Sequence, residues 1–287
     1  MPQQSAYLVI GHPIGHSMSP FIHKRLFALQ GRAASYTAQD MAPDRLADTL
    51  PALLREVSGC NVTIPHKQAV IPLLDRLEDR AALYRSVNTI AVTPAGTVGH
   101  NTDAEGFRRA LEEGGVPLAG RVALLGCGGA GRTFACEAAL AGCSIVNAVR
   151  PGGEEKALAL RDFVRGLVPT VSYAITDLSS LSGDFDLLLN ATPVGMYPHE
   201  DASPVGDAVL SRTAAVFDAV YNPGQTLLLR RAAAHGARTV GGMPMLVWQA
   251  AAAHTIWYGA VFDPADIARL IDEAQQEMET VFGRKGD

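Results

Sequence analysis

Cysteine is scarce in this chain. Its four residues in 287 (Cys60, Cys127, Cys136 and Cys143) show neither a CxxC spacing nor a Cys/His ligand spacing. That excludes a disulfide scaffold and leaves buried thiols in a reducing compartment, so a cytoplasmic location is expected. Long hydrophobic runs are lacking too. No unbroken apolar run approaches the roughly 18 residues of a membrane span. The N-terminal MPQQSAYLVIG carries no basic region ahead of its short apolar run, so no signal peptide is expected. Excess positive charge is absent: 24 Lys and Arg against 29 Asp and Glu leave a net charge of −5. This argues against a nucleic-acid surface, while allowing a local basic pocket for a small anion. No histidine pair sits on a helix at ligand spacing with a carboxylate, so no metal site is expected. His12, His16 and His66 are read as structural hydrogen-bonding residues or pocket lining. There are no repeats, no low-complexity tracts, and no Ser-His-Asp or reactive-cysteine context.

What is present is an alternation of short apolar strands with helical patterns, which predicts α/β architecture with a mostly parallel or mixed sheet. YLVIG reads as a strand. SPFIHKRLFALQG reads as a helix with Ser19 at the N-cap, Pro20 at the first helical position and Gly31 at the stop. ASYTAQD is a strand, APDRLADTLPALLREV mostly helix, GCNVTIP a strand and HKQAVIPLLDRL a helix. VNTIAVTPAGTVGHNTD reads as two strands turning at Pro94-Ala95-Gly96, and the helix of residues 104–115 leads into a second α/β unit. There RVALLG, SIVNAVR, FDLLLNAT and AAVFDAV are buried strands, and residues 244–262 form a long apolar helix.

Gly126, Gly128 and Gly131 fit G-x-G-x-x-G between a strand and a helix. The glycines let the backbone approach a pyrophosphate, and the helix N-terminus supplies unpaired N–H groups and partial positive charge. At the end of the next strand an NAD binder usually places an acid. This chain has Arg150 and no acid before Glu154. A guanidinium suits a 2′-phosphate, so NADP is expected, with NAD still open. A solvated surface arginine is the plain alternative.

Three polar clusters in the first unit share a place at strand ends, where open α/β sheets bind ligands. They are Ser17 and Ser19; Asn61, Thr63 and Lys67; and Asn88 with Asp103. Asn61 and Thr63, two apart on a strand, share a face. Each alone has a plain reading: Ser19 as a helix cap, Asn88 as a turn residue, Lys67 as a solvated lysine. Their joint occurrence favours a site.

GHPIGHSMSP, NVTIPHK, VNT, HNTD, GCGGAG, NAT, YNP and GGMPMLVWQAA, in that order and spacing, closely resemble the shikimate dehydrogenase family from Val9 to about Ala252. The resemblance implies a substrate-binding domain, residues 1–104 completed by helices from 243–287, and a Rossmann NADP-binding domain, residues 105–242, with a cleft between them. It implies reversible, NADP-linked reduction of 3-dehydroshikimate to shikimate, on the route to chorismate and the aromatic amino acids. Lys67 and Asp103 would be the catalytic pair. Ser17 and Ser19 would bind the substrate carboxylate, with Tyr221 on that side, and Asn61, Thr63, Asn88 and Gln249 the ring hydroxyls. Gly126, Gly128, Gly129, Ala130, Gly131, Arg150, Thr192 and Gly242 would hold the dinucleotide. Oligomeric state is open, with a homodimer as one candidate.

The chain departs from the family after its second Rossmann strand. Where the commonest pattern is Asn-Arg-Thr, it has Val149, Arg150 and Pro151. A branch that accepts quinate or shikimate with NAD or NADP is also altered here, so quinate is an alternative substrate. Ser17 and Ser19 follow the shikimate type. A non-catalytic dinucleotide or shikimate sensor is the alternative from another class, and the intact Lys67 and Asp103 argue against it. The serine pair and HNTD argue against a methylene-tetrahydrofolate dehydrogenase relative.

Overall fold

The computed structural model describes residues 5–15 and 17–282, so His16 lies outside the described residues. The chain divides into two compact units, one of Met1–Gly106 with Leu246–Met278 and one of Phe107–Met245 with Glu279–Asp287.

The first unit begins with β1 (Ser5–Gly11), α1 (Ser19–Leu29), β2 (Ala34–Asp40), α2 (Leu46–Leu53) and β3 (Gly59–Val62). Then come β4 (Arg76–Leu77), α3 (Asp79–Tyr84), β5 (Thr89–Thr93), β6 (Gly96–His100) and the start of α4 (Asp103–Glu113). Its sheet has the order β2-β1-β3-β5-β6-β4. β1 is parallel to β2 and β3, whereas β5 runs antiparallel to both β3 and β6. The core below it gathers Leu8, Ile10, Leu50, Cys60, Val70 and Ile90.

The second unit contains β7 (Arg121–Leu125), α5 (Gly129–Leu140), β8 (Ser144–Val149), α6 (Glu154–Leu167) and β9 (Tyr173–Asp177). It continues through β10 (Leu187–Asn190), α7 (Asp207–Leu210), β11 (Ala215–Asp218), α8 (Leu227–Ala234) and β12 (Arg238–Val240). The strand order is β12-β11-β10-β7-β8-β9, with every pairing parallel. β10 and β11 are buried along their whole length, the pattern of strands covered on both faces. α6 buries Ala157, Leu160 and Val164 at helical spacing. Its glutamates in the first turn and Arg165 in the last complement the helix dipole. α9 (Gly242–Tyr258) and α10 (Pro264–Phe282) close the described chain.

Three local expectations need correction. Residues 66–77 form turns, a short 3-10 stretch at Ile71–Leu73 and β4 rather than a helix. Pro72 brings no N–H to a helical ladder, and Lys67 gives its carbonyl to Val87 N instead. Helix α1 has Met18 at its N-cap, with Ser19 already helical and making no cap bond. The long apolar helix starts at Gly242 and stops at Tyr258, because Gly259 turns to φ +73°.

Candidate active site

Strand register explains how distant polar residues reach one edge of the first sheet. β1 and β3 run parallel, with Val9 opposite Asn61, so the segments after both strands leave the same edge. β5 is antiparallel, with Thr89 opposite Asn61, so its beginning also lies there. β6 reverses again, and His100 opposite Thr89 brings Asn101–Asp103 to that edge. Gly11 permits the approach, since a Cβ there would collide with the Thr63 methyl group.

Lys67 Nζ donates to Asp103 Oδ2 at 2.5 Å, with the side chains 17% and 8% exposed. Asp103 opens α4, where the N-terminal partial charge favours a carboxylate. Its other oxygen accepts from Asn88 Nδ2 at 2.9 Å. Asn88 Oδ1 accepts from Thr102 N at 2.8 Å, which fixes the amide's orientation. Gln249 joins from α9: its Oε1 accepts from Asn88 Nδ2 at 3.3 Å, and its Nε2 donates to Leu246 O at 2.8 Å. Asn61 is buried and engaged, accepting from Tyr36 OH at 2.7 Å and donating to Asn88 O and Thr89 Oγ1.

Thr63 and the two serines are half-buried. Ser17 Oγ accepts from Ser19 N at 3.2 Å, leaving its own hydrogen for a ligand. That loop is tied to the end of β2, where Asp40 accepts from Ile14 N and pairs with His12 Nδ1 at 2.7 Å. The His12 hydrogen bond holds the exposed Asp40 carboxyl below its usual range. Buried His66 hydrogen-bonds Met41 O through Nε2 at 2.6 Å. The structure thus gathers Lys67, Asp103, Asn61, Asn88 and Gln249 into one network, with Thr63 beside it. Tyr221 belongs to the second unit, half-buried after β11, and burial pushes its phenol up.

In the second unit the glycine turn has the form of a phosphate cradle. Gly126 has φ +98°, and a Cβ on Gly131 would lie 2.6 Å from Gly126 O. Gly128, at the N-cap of α5, opens onto free space. Gly129, Ala130 and Gly131 form the first helical turn, whose N–H groups have no intrahelical partner. These residues fit a dinucleotide pyrophosphate. Arg150 is exposed and lines a cavity of about 530 Å³ with Pro151, Asp177, Ser179 and Val205. Val149 is buried in the strand end and offers no polar group. Thr192 donates to Asn190 Oδ1 at 2.7 Å. Gly242 fits against the backbone of Ala219, where any Cβ would collide.

Sequence reasoning missed several members of these networks. Tyr36, Thr89 and Thr102 reach the first through strand pairing that no local pattern announces. Asp218 and Thr226, which brace the loop of Tyr221, sit at a telling interval around YNP. Among the described residues no cluster of His, Cys, Asp or Glu could hold a metal ion. Cys60, Cys136 and Cys143 are buried, and burial pushes the Cys136 thiol up to about 12.

Residues 9–90 match the family model of the shikimate dehydrogenase substrate binding domain. The NADP(+)-dependent shikimate dehydrogenase of Moorella thermoacetica is 40% identical over 93% of this chain and 92% of its own. The structure of shikimate 5-dehydrogenase from Thermus thermophilus in complex with NADP(H) and shikimate superposes with a TM-score of 0.83. It is 34% identical and covers 94% of this chain and 100% of that one. Quinate dehydrogenase from Corynebacterium glutamicum in complex with NAD is similar as well, with a TM-score of 0.82, 30% identity, and coverage of 96% and 99%. With a lysine–aspartate pair on one sheet edge, a glycine cradle on a parallel sheet and relatives of this identity along nearly its whole length, the chain belongs to the shikimate dehydrogenase family.

Proposed function

We propose that the protein interconverts shikimate and 3-dehydroshikimate with NADP as the hydride carrier. The observation that carries the reading is the 2.5 Å contact of Lys67 with Asp103, held by Asn88 inside the region that matches the substrate-binding family model. When bound, the nicotinamide cofactor accepts the hydride from the substrate carbon, or returns it. The chain's own residues handle the hydroxyl at that carbon.

Oxidation removes a hydride from carbon and a proton from its oxygen, so negative charge on that oxygen must be met as it develops. Lys67 is the one side chain of the network bearing a transferable proton on nitrogen. Placed beside the reacting oxygen, it stabilises that charge and exchanges the proton. Asp103 accepts from Lys67 and so orients it, and Asn88 fixes the carboxylate in turn. Acid–base assistance of this kind contributes roughly 10²–10⁴-fold.

The remaining roles belong to the same proposal. Ser17 and Ser19, with Tyr221, take the substrate carboxylate. Asn61, Thr63, Asn88 and Gln249 address the ring hydroxyls. Gly126, Gly128, Gly129, Ala130 and Gly131 hold the pyrophosphate, Arg150 a 2′-phosphate, and Thr192 and Gly242 the nicotinamide half. A cytoplasmic location and a homodimer are part of the reading, and fractionation and sedimentation test them. No helix of the described residues is long and apolar enough to cross a membrane.

A second reading has its own support. Arg150 is exposed, and its neighbours Pro151 and buried Val149 offer no polar side-chain group to a 2′-phosphate. The similarity to an NAD-bound quinate dehydrogenase points the same way. Purified protein incubated with shikimate or quinate, each with NADP+ or NAD+, tests both readings through nicotinamide absorbance. Shikimate with NADP+ is expected to be the fastest pair. Absence of turnover with every pair would contradict dehydrogenation and favour a sensor.

A further inference from the structure

β11 ends in a carboxylate that none of the roles above uses. Asp218 is completely buried. Its Oδ1 accepts from Asn190 Nδ2 at 2.8 Å and Val220 N at 3.1 Å, and its Oδ2 accepts from Thr226 Oγ1 at 2.7 Å. All three donors are neutral, and among the described residues no Lys, Arg or His pairs with it. Burial pushes this carboxyl up, while the three hydrogen bonds hold its charged form. A carboxyl facing three donors and no cation is a buried, uncompensated negative charge.

Its place in the fold gives that charge a target. From β7 the chain proceeds to β8 and β9 on one side of the sheet, and through β10, β11 and β12 on the other. Dinucleotides bind at the carboxyl ends of strands at such a switch point, with the adenosine half on the side of the strand after the glycine turn. That side carries Arg150. The nicotinamide half therefore falls over the ends of β10 and β11. Thr192 and Asn190 occupy the first of these and Asp218 the second, joined by one chain of hydrogen bonds.

The nicotinamide ring is cationic when oxidised and neutral when reduced, so a fixed anion near it acts on one form alone. We infer that Asp218 sets redox-state selectivity, tightening the protein's hold on the oxidised dinucleotide relative to the reduced one. The inference rests on the proposed use of a nicotinamide cofactor. Its consequence is a bound nicotinamide couple shifted toward the oxidised form.

Asp218→Asn separates charge from positioning. The amide oxygen can still accept from Asn190 and Val220, and the new NH₂ can donate to the Thr226 hydroxyl, which both donates and accepts. Dissociation constants for NADP+ and NADPH, measured by calorimetric titration of both proteins, give the readout. The ratio of the NADP+ constant to the NADPH constant is expected to rise about tenfold in the variant. Tenfold corresponds to about 1.4 kcal/mol of charge interaction present with one redox form and missing with the other. An unchanged ratio, including equal weakening of both forms, overturns the inference alone. If the unsubstituted protein binds neither form, the proposed function fails and takes this inference with it. Asp218→Ser, which also removes the charge, serves if the first variant does not fold.

Discussion

Two buried histidines in the first unit make its stability depend on pH. His23 Nδ1 and His254 Nε2 share a hydrogen bond at 2.8 Å, and His254 Nδ1 meets Tyr258 OH at 2.5 Å. Both imidazoles are fully buried, and His23 stacks on Tyr36 with ring centroids 4.0 Å apart. The groups around them, Tyr36, Tyr258 and Arg32, offer no carboxylate to support an imidazolium. Burial pushes His254 from 6.5 down to about 3, and His23 also falls well below its ordinary value. Well above pH 6.5 neither folded nor unfolded chain protonates these rings, and the full stability is present. Below it the unfolded chain takes up protons that the folded chain refuses, so stability falls until the folded value is reached. One such histidine costs about 1.4 kcal/mol per pH unit, hence about 2 kcal/mol for His254 between pH 6.5 and 5. The perturbation is His254→Gln, which keeps a hydrogen-bonding side chain and removes the titration. Both tryptophans, Trp248 and Trp257, lie in this unit, so urea unfolding followed by tryptophan fluorescence reports it. The variant should lose about 2 kcal/mol less than the unsubstituted protein across that interval. Parallel losses in the two proteins would refute the reasoning.

Gly131→Ala should impair cofactor binding alone. Its Cβ would meet Gly126 O at 2.6 Å, and relieving such overpacking costs about 1–3 kcal/mol, roughly one to two decades of affinity if the cradle opens. NADP+ titration should show the loss, and shikimate titration, whose proposed contacts do not include the glycine cradle, should not. Asn88→Ala removes the bond to Asp103 and leaves the buried Thr102 N without its acceptor. An unfolding free energy lower by about 1–3 kcal/mol is expected. Turnover should fall by about a hundredfold from the misplaced carboxylate, and unchanged turnover would show that Asp103 needs no such brace.

Local chemistry made part of this molecule readable in advance. The glycines of 126–131 announce themselves because only a missing Cβ tolerates φ +98° at Gly126 and the carbonyl approach at Gly131. The strands RVALL and LLLN are legible as continuous apolar runs, because parallel strands are covered on both faces. Residues 66–77 misled for a related reason. Val70, Ile71, Leu73, Leu74 and Leu77 repeat at helical intervals, yet beside Pro65 and Pro72 the bond from Val70 N to His66 O spans four residues, while those of Ile71, Leu73 and Leu74 span three, as in turns and 3-10 helix. Ser19 looked like a cap because Pro20 follows it, but the helix starts one residue earlier. The contact of Lys67 with Asp103 had no local signature. It depends on β3, β5 and β6 reversing direction twice, and only the family resemblance carried it. Asp218 escaped notice because an aspartate at the end of an apolar strand looks solvated until Asn190 and Thr226 close over it.

Lys67→Ala tests the central claim most directly. With shikimate binding confirmed by titration, steady-state rates with shikimate and NADP+ should show kcat reduced by roughly 10²–10⁴-fold and KM changed far less. Turnover equal to that of the unsubstituted protein, or a loss confined to KM, would contradict the assignment of Lys67 and Asp103 as the pair that handles the proton.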